Sequence, residues 1–422
     1  PSILGGTEVF LEYPDHAGTA VPVLLLVLLL GRAGGQGIGR LVLPAAACVL
    51  LALAQVGDEL ILIAATVPLA AVCGLRLLKA RRLKRGERRR AGTPLDGLLL
   101  AAAVISVGLA RLADPVIRAL GGFDRRPLGG VALAPPHQVR ANAGLLWQSL
   151  ILLFGANNPG PPHQPQTIKA HVPLVLIADL HVIGLVLAGA GLAAGIALVF
   201  SSRADRVTAV LVTAIVMILA AGLFTTVLRS LSNAHEVAIL LPLGAVLAGR
   251  AHPAWPARTG AAPRRRAGIT GPAVGVWLAL SLAELCYAAA WPATPPPQRA
   301  VAAWLVRHHQ REGLAGYWQA EATTVTSGGQ VVVAPVILPA TAKPAEADRW
   351  ESSAAWYRPA RQDATFVIAV TGPGAPGGLS PAAVRASFGP PAAQHQVGAD
   401  LIMLYPYNLL TRLRGAAFPG PG

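Results

Sequence analysis

The sequence predicts an all-α polytopic transmembrane bundle of about eight visible spans, followed by a C-terminal extracytoplasmic α/β domain. Three observations predict this fold. The 422 residues are 54% hydrophobic and only 13% charged, about half the charge of a soluble domain. The same numbers exclude disorder, which needs low hydrophobicity. Aromatic residues make up 5% of the chain, so the apolarity comes from the Leu, Ala, Val and Ile of lipid-facing helix. Most apolar runs are also uniform rather than one-sided at a 3.6-residue period, as expected of helices surrounded by lipid.

The runs are roughly 17–31, 38–55, 59–76, 96–114, 178–200, 207–229, 236–249 and 269–291. A span needs about 20 apolar residues, with about 17 as the lower limit. The first and seventh runs are short, so about seven to nine crossings bracket the expectation. The run WQSLILLFG at 147–155 is too short to span and is expected to lie in the interface or cap the bundle. GRAGGQGIGR at 31–40 lacks dinucleotide-loop spacing and reads as a turn.

Charge sets the orientation. The net charge is +15, from 35 Lys and Arg against 20 Asp and Glu. Nine of the cations fall in residues 76–90, between two apolar runs, and five more (Arg250, Arg258, Arg264, Arg265, Arg266) fall in another such loop. Cations gathered in loops between spans point to topology and away from nucleic acid as a partner. With the loop after the third span cytoplasmic, alternation puts 31–40, 76–95, 201–206 and 250–268 inside. The outward segments 1–16, 56–58 and 230–235 carry no Lys or Arg. The long Pro- and Gly-rich loop 115–177 and everything after residue 291 then lie outside, in a multi-pass protein of the plasma membrane.

Residues 1–291 form the bundle in this reading, 292–298 (PATPPPQ) a stiff linker and 299–422 the outer domain. The outer domain is expected to hold an amphipathic helix over about 298–312, strands at 331–338, 366–370 and 401–405, and a helix starting at Pro381. About 130 residues can bury a core of their own. Cys48, Cys73 and Cys286 fall inside apolar runs and read as small buried hydrophobes rather than a disulfide framework. The chain begins at Pro1 with no leader ahead of it, and an N-terminally truncated fragment is expected.

There is no Walker loop and no HExxH. The segment TEVFLEYPDHAG at 7–18 crowds Glu8, Glu12, Asp15 and His16 into an outward loop. A carboxylate there could deprotonate a hydroxyl or hold a metal that neutralises a phosphate. The alternative is a solvated loop with Asp15 as a helix cap. The GDEL pair Asp58 and Glu59 faces outward and reads as a cap of the third span. Asp179 and His181 are expected at the rim of the fifth span, and Glu284 is expected within lipid depth in a structural role. Asn233, His235 and Glu236 stand at the outer mouth before Pro242, as ligands of a phosphate or sugar hydroxyl or as interface anchors. Tyr317, Trp318, Trp356 and Tyr357 could stack on sugar rings or fill the core of the outer domain.

Four stretches carry a resemblance: EYPDHAGTAVPVLLLVLLL (12–30), HEVAILLPLGAVLAGR (235–250), GLAGYWQAEATTVTSGGQVVVAPV (313–336) and WYRPARQDATFVIAV (356–370). They resemble actinobacterial polytopic membrane proteins similar in layout to the C-type glycosyltransferases, including the protein-mannosyltransferase-like family 39. The likeness covers most of the chain as pattern and composition. It implies transfer of a sugar from a polyprenyl-phosphate donor, held in membrane lipid, to an extracytoplasmic acceptor, with inversion at the anomeric carbon. It also implies an acidic residue in the first outward loop. Asp15, or failing it Glu12, would be the catalytic base, with His16, Arg229, His235, Glu236 and Trp318 binding substrate. A divalent metal ion is left open as a cofactor. The rival readings are a transporter using Asp179 and Glu284, and a non-catalytic envelope scaffold.

Overall fold

The computed structural model describes residues 14–32, 39–81, 93–120, 131–156, 171–251, 275–283, 286, 296, 298–338, 345–348, 352–371 and 378–414. The chain divides into two compact units, Pro1–Arg111 with Pro127–Trp291 and Leu112–Arg126 with Pro292–Gly422.

The helical unit follows the apolar runs. Its helices are α1 (Pro14–Gly31), α2 (Gly39–Gly57), α3 (Val67–Ala80), α4 (Thr93–Ala119), α5 (Pro136–Leu153), α6 (His171–Phe200), α7 (Arg206–Phe224) and α8 (Leu240–Ala251). A π-helical segment, Leu62–Thr66, leads into α3, and a 3₁₀ segment, Leu231–Val237, precedes α8. Four stretches are long and apolar enough to cross a membrane: Leu62–Ala80, Pro94–Ile117, Leu180–Phe200 and Arg206–Phe224. Gly18–Gly31 and Leu41–Gly57 are shorter apolar helices. Of the expected run 269–291, residues 275–283 and 286 are described, and all of these are helical.

Several boundaries differ from expectation. The sixth run was expected to continue to 229, but α7 stops at Phe224. Thr225 turns extended (φ −124°, ψ 174°) and bridges to Leu133, while the Thr226 N–H donates to the Ala132 carbonyl at 2.9 Å. A backbone paired with a neighbouring segment cannot stay in the helix. WQSLILLFG proves to be mostly the second half of α5, which starts at Pro136, where the missing N–H of proline costs nothing. The fifth helix does not begin near 180, since α6 is continuous from His171 over 30 residues, about 45 Å.

Small residues set the closest helix contact. A Cβ on Gly191 of α6 would lie 2.6 Å from the Cα of Ala248 in α8, and one on Gly195 would lie 2.7 Å from Val212 Cγ2 in α7. This Gly-x-x-x-Gly pair lets backbones approach where lipid offers no hydrophobic drive for helices to associate. At the end of α5, Gly155 takes φ +68°, and a Cβ there would strike the His181 ring.

The second unit is a six-stranded mixed sheet in the order β3-β2-β1-β4-β6-β5. Its strands are β1 (Glu312–Ala315), β2 (Val332–Ile337), β3 (Glu346–Ala347), β4 (Phe366–Val370), β5 (Ala393–Val397) and β6 (Asp400–Leu404). β1 runs parallel to both β2 and β4, and the remaining pairs are antiparallel. The helices are α9 (Arg299–Arg307), α10 (Tyr317–Thr326) and α11 (Pro381–Phe388). The amphipathic helix, expected to about residue 312, stops at Arg307: His309 turns left-handed (φ +56°) and Glu312 opens β1. Leu314, Val367, Met403, Tyr357 and Phe388 fill a core on one face of the sheet, and Val301, Leu305, Val333, Phe366 and Ile402 fill one on the other.

Candidate functional site

Side-chain bonds show which helix ends lie together. Thr19, near the start of α1, donates its hydroxyl to Asp58 Oδ2, just past the end of α2. Gln55 of α2 donates to Ser106 Oγ of α4 at 3.0 Å and to Leu51 O at 3.0 Å, and Ser106 donates to Ala103 O at 2.8 Å. Glu59, before the π segment, lies 3.2 Å from Nη1 of Arg111 in α4. These contacts gather one end of α1, α2, α3 and α4. At the other end, Asp96 in the first turn of α4 accepts from Arg76 of α3 at 3.1 Å and from Arg206 of α7 at 2.8 Å. Asp205 caps α7 by accepting the Thr208 N–H at 2.9 Å, and Arg250 of α8 pairs with it.

The helical unit therefore has two polar ends of different character. The Asp96 end is cationic: Arg76 and Arg206 bond Asp96, and Arg250 pairs with Asp205, which precedes Arg206. The Asp58 end carries the candidate site. Asp58 closes α2 with its own N–H on Ala54 O (2.9 Å), and its Oδ1 accepts the Leu60 N–H at 2.8 Å. That is the capping role expected of it. Its Oδ2 turns to Thr19, which is itself buried. Glu59 does not cap outward as expected; it is buried, 7% exposed, against the half-exposed Arg111. The π-helical stretch begins three residues on, at Leu62, a backbone irregularity frequent at functional sites.

The expected site residues fall as follows. Glu12 lies outside the described residues, as do Glu8, Glu284 and the side chains of Asp15, His16 and Asp179. The backbone of Asp15 is in the first turn of α1, inside the helix rather than at its cap, and one turn before Thr19. His235 Nε2 and Glu236 Oε1 come together at 3.8 Å in the 3₁₀ segment, which packs on α5. Arg229 is exposed, with its Nε on Thr226 O at 3.4 Å. His181 Nδ1 lies 2.8 Å from the Phe154 carbonyl at the end of α5. Trp318, in the sheet unit, is 41% exposed on the first turn of α10. Tyr357 is core, its hydroxyl lying 2.7 Å from the Pro335 carbonyl and 2.6 Å from that of Asp348, either of which can take its one proton. Among the described residues no three His, Cys, Asp or Glu side chains are grouped to hold a metal ion.

Sequence reasoning passed over Thr19, Gln55, Ser106 and Arg111. The signal was present, since Gln55, Ser106 and Arg111 are isolated polar residues in apolar runs, and such residues are costly in lipid unless they bond one another. Compared with known proteins, the chain matches no family model, no curated protein and no solved structure.

Proposed function

We propose that this chain is a multi-pass membrane glycosyltransferase that moves a sugar from a polyprenyl-phosphate donor to an extracytoplasmic acceptor. About eight spans cross the plasma membrane, the cationic end faces the cytoplasm and the sheet unit stands outside. The observation that carries the reading is the pair Asp58 and Glu59 at the end opposite Arg76, Arg206 and Arg250, one half-buried and the other buried, beside the turn of α1 that holds Asp15.

The chemistry asks for one carboxylate that water and a hydroxyl can reach. Asp58 is reachable, and Thr19 and the Leu60 N–H fix its orientation. It accepts the proton of the acceptor hydroxyl as the acceptor oxygen bonds to the anomeric carbon. The bond from that carbon to the phosphate oxygen breaks in the same step, and the phosphate leaves with the electron pair. Asp15 and Glu12 remain bases of the same surface under this reading. Arg229 and His235, with Glu236 orienting the imidazole, supply positive charge and a donor to the departing phosphate. Glu59 with Arg111 holds the loop in place.

Purified full-length chain in lipid nanodiscs, given polyprenyl-phosphate mannose or glucose and soluble acceptors, tests this. Transfer that falls at least about 100-fold in Asp58→Asn or Asp15→Asn, with melting unchanged, supports the reading. Equal transfer by wild type, Asp58→Asn, Asp15→Asn and Glu59→Gln overturns it.

A further inference from the structure

In the sheet unit, β1 has parallel neighbours on both sides. From β1 the chain passes through α10 to β2 on one side, while β4 lies on the other, so the winding reverses between β1 and β4. In open sheets with such a reversal, ligands lie outside the carboxyl ends of the two strands that flank it. The carboxyl end of β1 is Ala315, and the first turn of α10 follows directly. Gly316 caps that helix without a side chain, so no side chain takes its first N–H groups at the cap.

A second observation is independent of the helix end. Gln319, in the first turn of α10, is only 8% exposed, and its Oε1 has no hydrogen-bond partner among the described residues. Gln319 and the fully buried Thr323 lie one turn apart on the helix face that packs on the sheet, and Gln319 is the one nearer the strand ends. Trp318 beside it is 41% exposed, its ring edge-on to Tyr317 with centroids 5.0 Å apart.

We infer that this crevice binds a pyranose ring. The Trp318 face supports the C–H face of the sugar, the first-turn N–H groups donate to one hydroxyl, and Gln319 rotates its buried, unpartnered Oε1 outward to accept from another. A neutral ligand is favoured over a phosphate that the helix end alone would hold, because residues 313–331, from the second residue of β1, and 366–384, from the start of β4, contain no Lys or Arg to pair with it, and Glu321 adds negative charge on the same helix. As the acceptor side of the transferase this assignment rests on the function proposed above. As a sugar site it stands on the crevice alone.

Saturation-transfer NMR on the full chain in nanodiscs tests it, with maltose, cellobiose and methyl α-mannoside as probes and ADP as the phosphate-bearing comparison. Saturation of the ring protons of at least one sugar is expected. Trp318→Ala and Gln319→Leu should each weaken it by about tenfold or more, and Trp318→Phe should keep it within about threefold. Both changed side chains lie off the main cores, and apolar replacement of an unpartnered amide leaves folding intact, which a melting curve verifies. No saturation of any sugar, equal binding by Trp318→Ala, or binding of ADP in place of the sugars overturns the inference. A chain that binds the sugars but transfers none overturns the transferase reading alone; a chain that transfers but binds no free sugar overturns the crevice alone.

Discussion

Asp96 and Glu59 are both buried carboxylates of the helical unit, and their surroundings differ in kind. Asp96 has a guanidinium on each oxygen, from Arg76 and Arg206, with Cys73 Sγ 4.0 Å away. Glu59 faces one arginine that is 53% exposed, and its neighbour Asp58 is held by a hydroxyl and a backbone N–H. A carboxylate held by two cations from two other helices serves to pin α3, α4 and α7 together. Asp58, held by Thr19 and the Leu60 N–H, is only half-buried at its end of the unit, where the proposed reaction needs an acid. Burial alone thus does not mark a functional acid.

Changes at the two ends sharpen that contrast. Asp96→Ala should have the largest effect on folding, about 3–5 kcal/mol, because it leaves two arginines facing an uncompensated site; loss of the monodisperse peak and a collapsed melting curve in detergent would register it. Gly191→Leu should come next, at about 2–4 kcal/mol, since its side chain would have to displace the α8 backbone at Ala248. Glu59→Gln should cost only about 1 kcal/mol in melting, because Arg111 can turn to water, yet transfer should fall. A Glu59→Gln variant as unstable as Asp96→Ala would erase the distinction.

The smallest effect concerns Asp205 and pH. Burial by itself would raise its carboxyl, but hydrogen bonds from Thr208 and the charge of Arg250 overcome this and hold it below the ordinary carboxylate range. A depressed acid stabilises the fold above its unfolded value, and the gain is lost as pH falls through the folded one. Asp205→Asn should therefore lower stability slightly at pH 7, by no more than about 1 kcal/mol for a pair this exposed, read as a small drop in melting temperature. The difference from wild type should close below about pH 4.

How much of this could be read in advance depends on how local the cause is. The apolar runs mark the helices because burial in lipid acts on each residue separately. FVIAV and Pro381 likewise mark β4 and α11 through apolar content and a proline start. The strand β5, AQHQV, carries no such signal, because it is an exposed edge held by its backbone pairing to β6. Glu312–Ala315, only four residues long, was not marked as a strand, because its pairing with β2 and β4 comes from distant parts of the chain. In the candidate site, the position of Asp58 and Glu59 between spans was legible. Their partners Thr19 and Arg111 come from other helices, and no spacing rule reports such contacts. His235 and Glu236 were legible as neighbours because they are adjacent in the chain.

The most direct test labels two introduced cysteines from outside intact cells with an impermeant maleimide. Ser230→Cys lies past the end of α7 remote from Asp96, and Lys79→Cys lies in the last turn of α3; both positions are exposed, and Cys286→Ser removes the exposed native thiol. Position 230 should react in intact cells and position 79 only after the membrane is opened. Labelling at 79 with silence at 230 would turn the carboxylate end toward the cytoplasm and contradict the account.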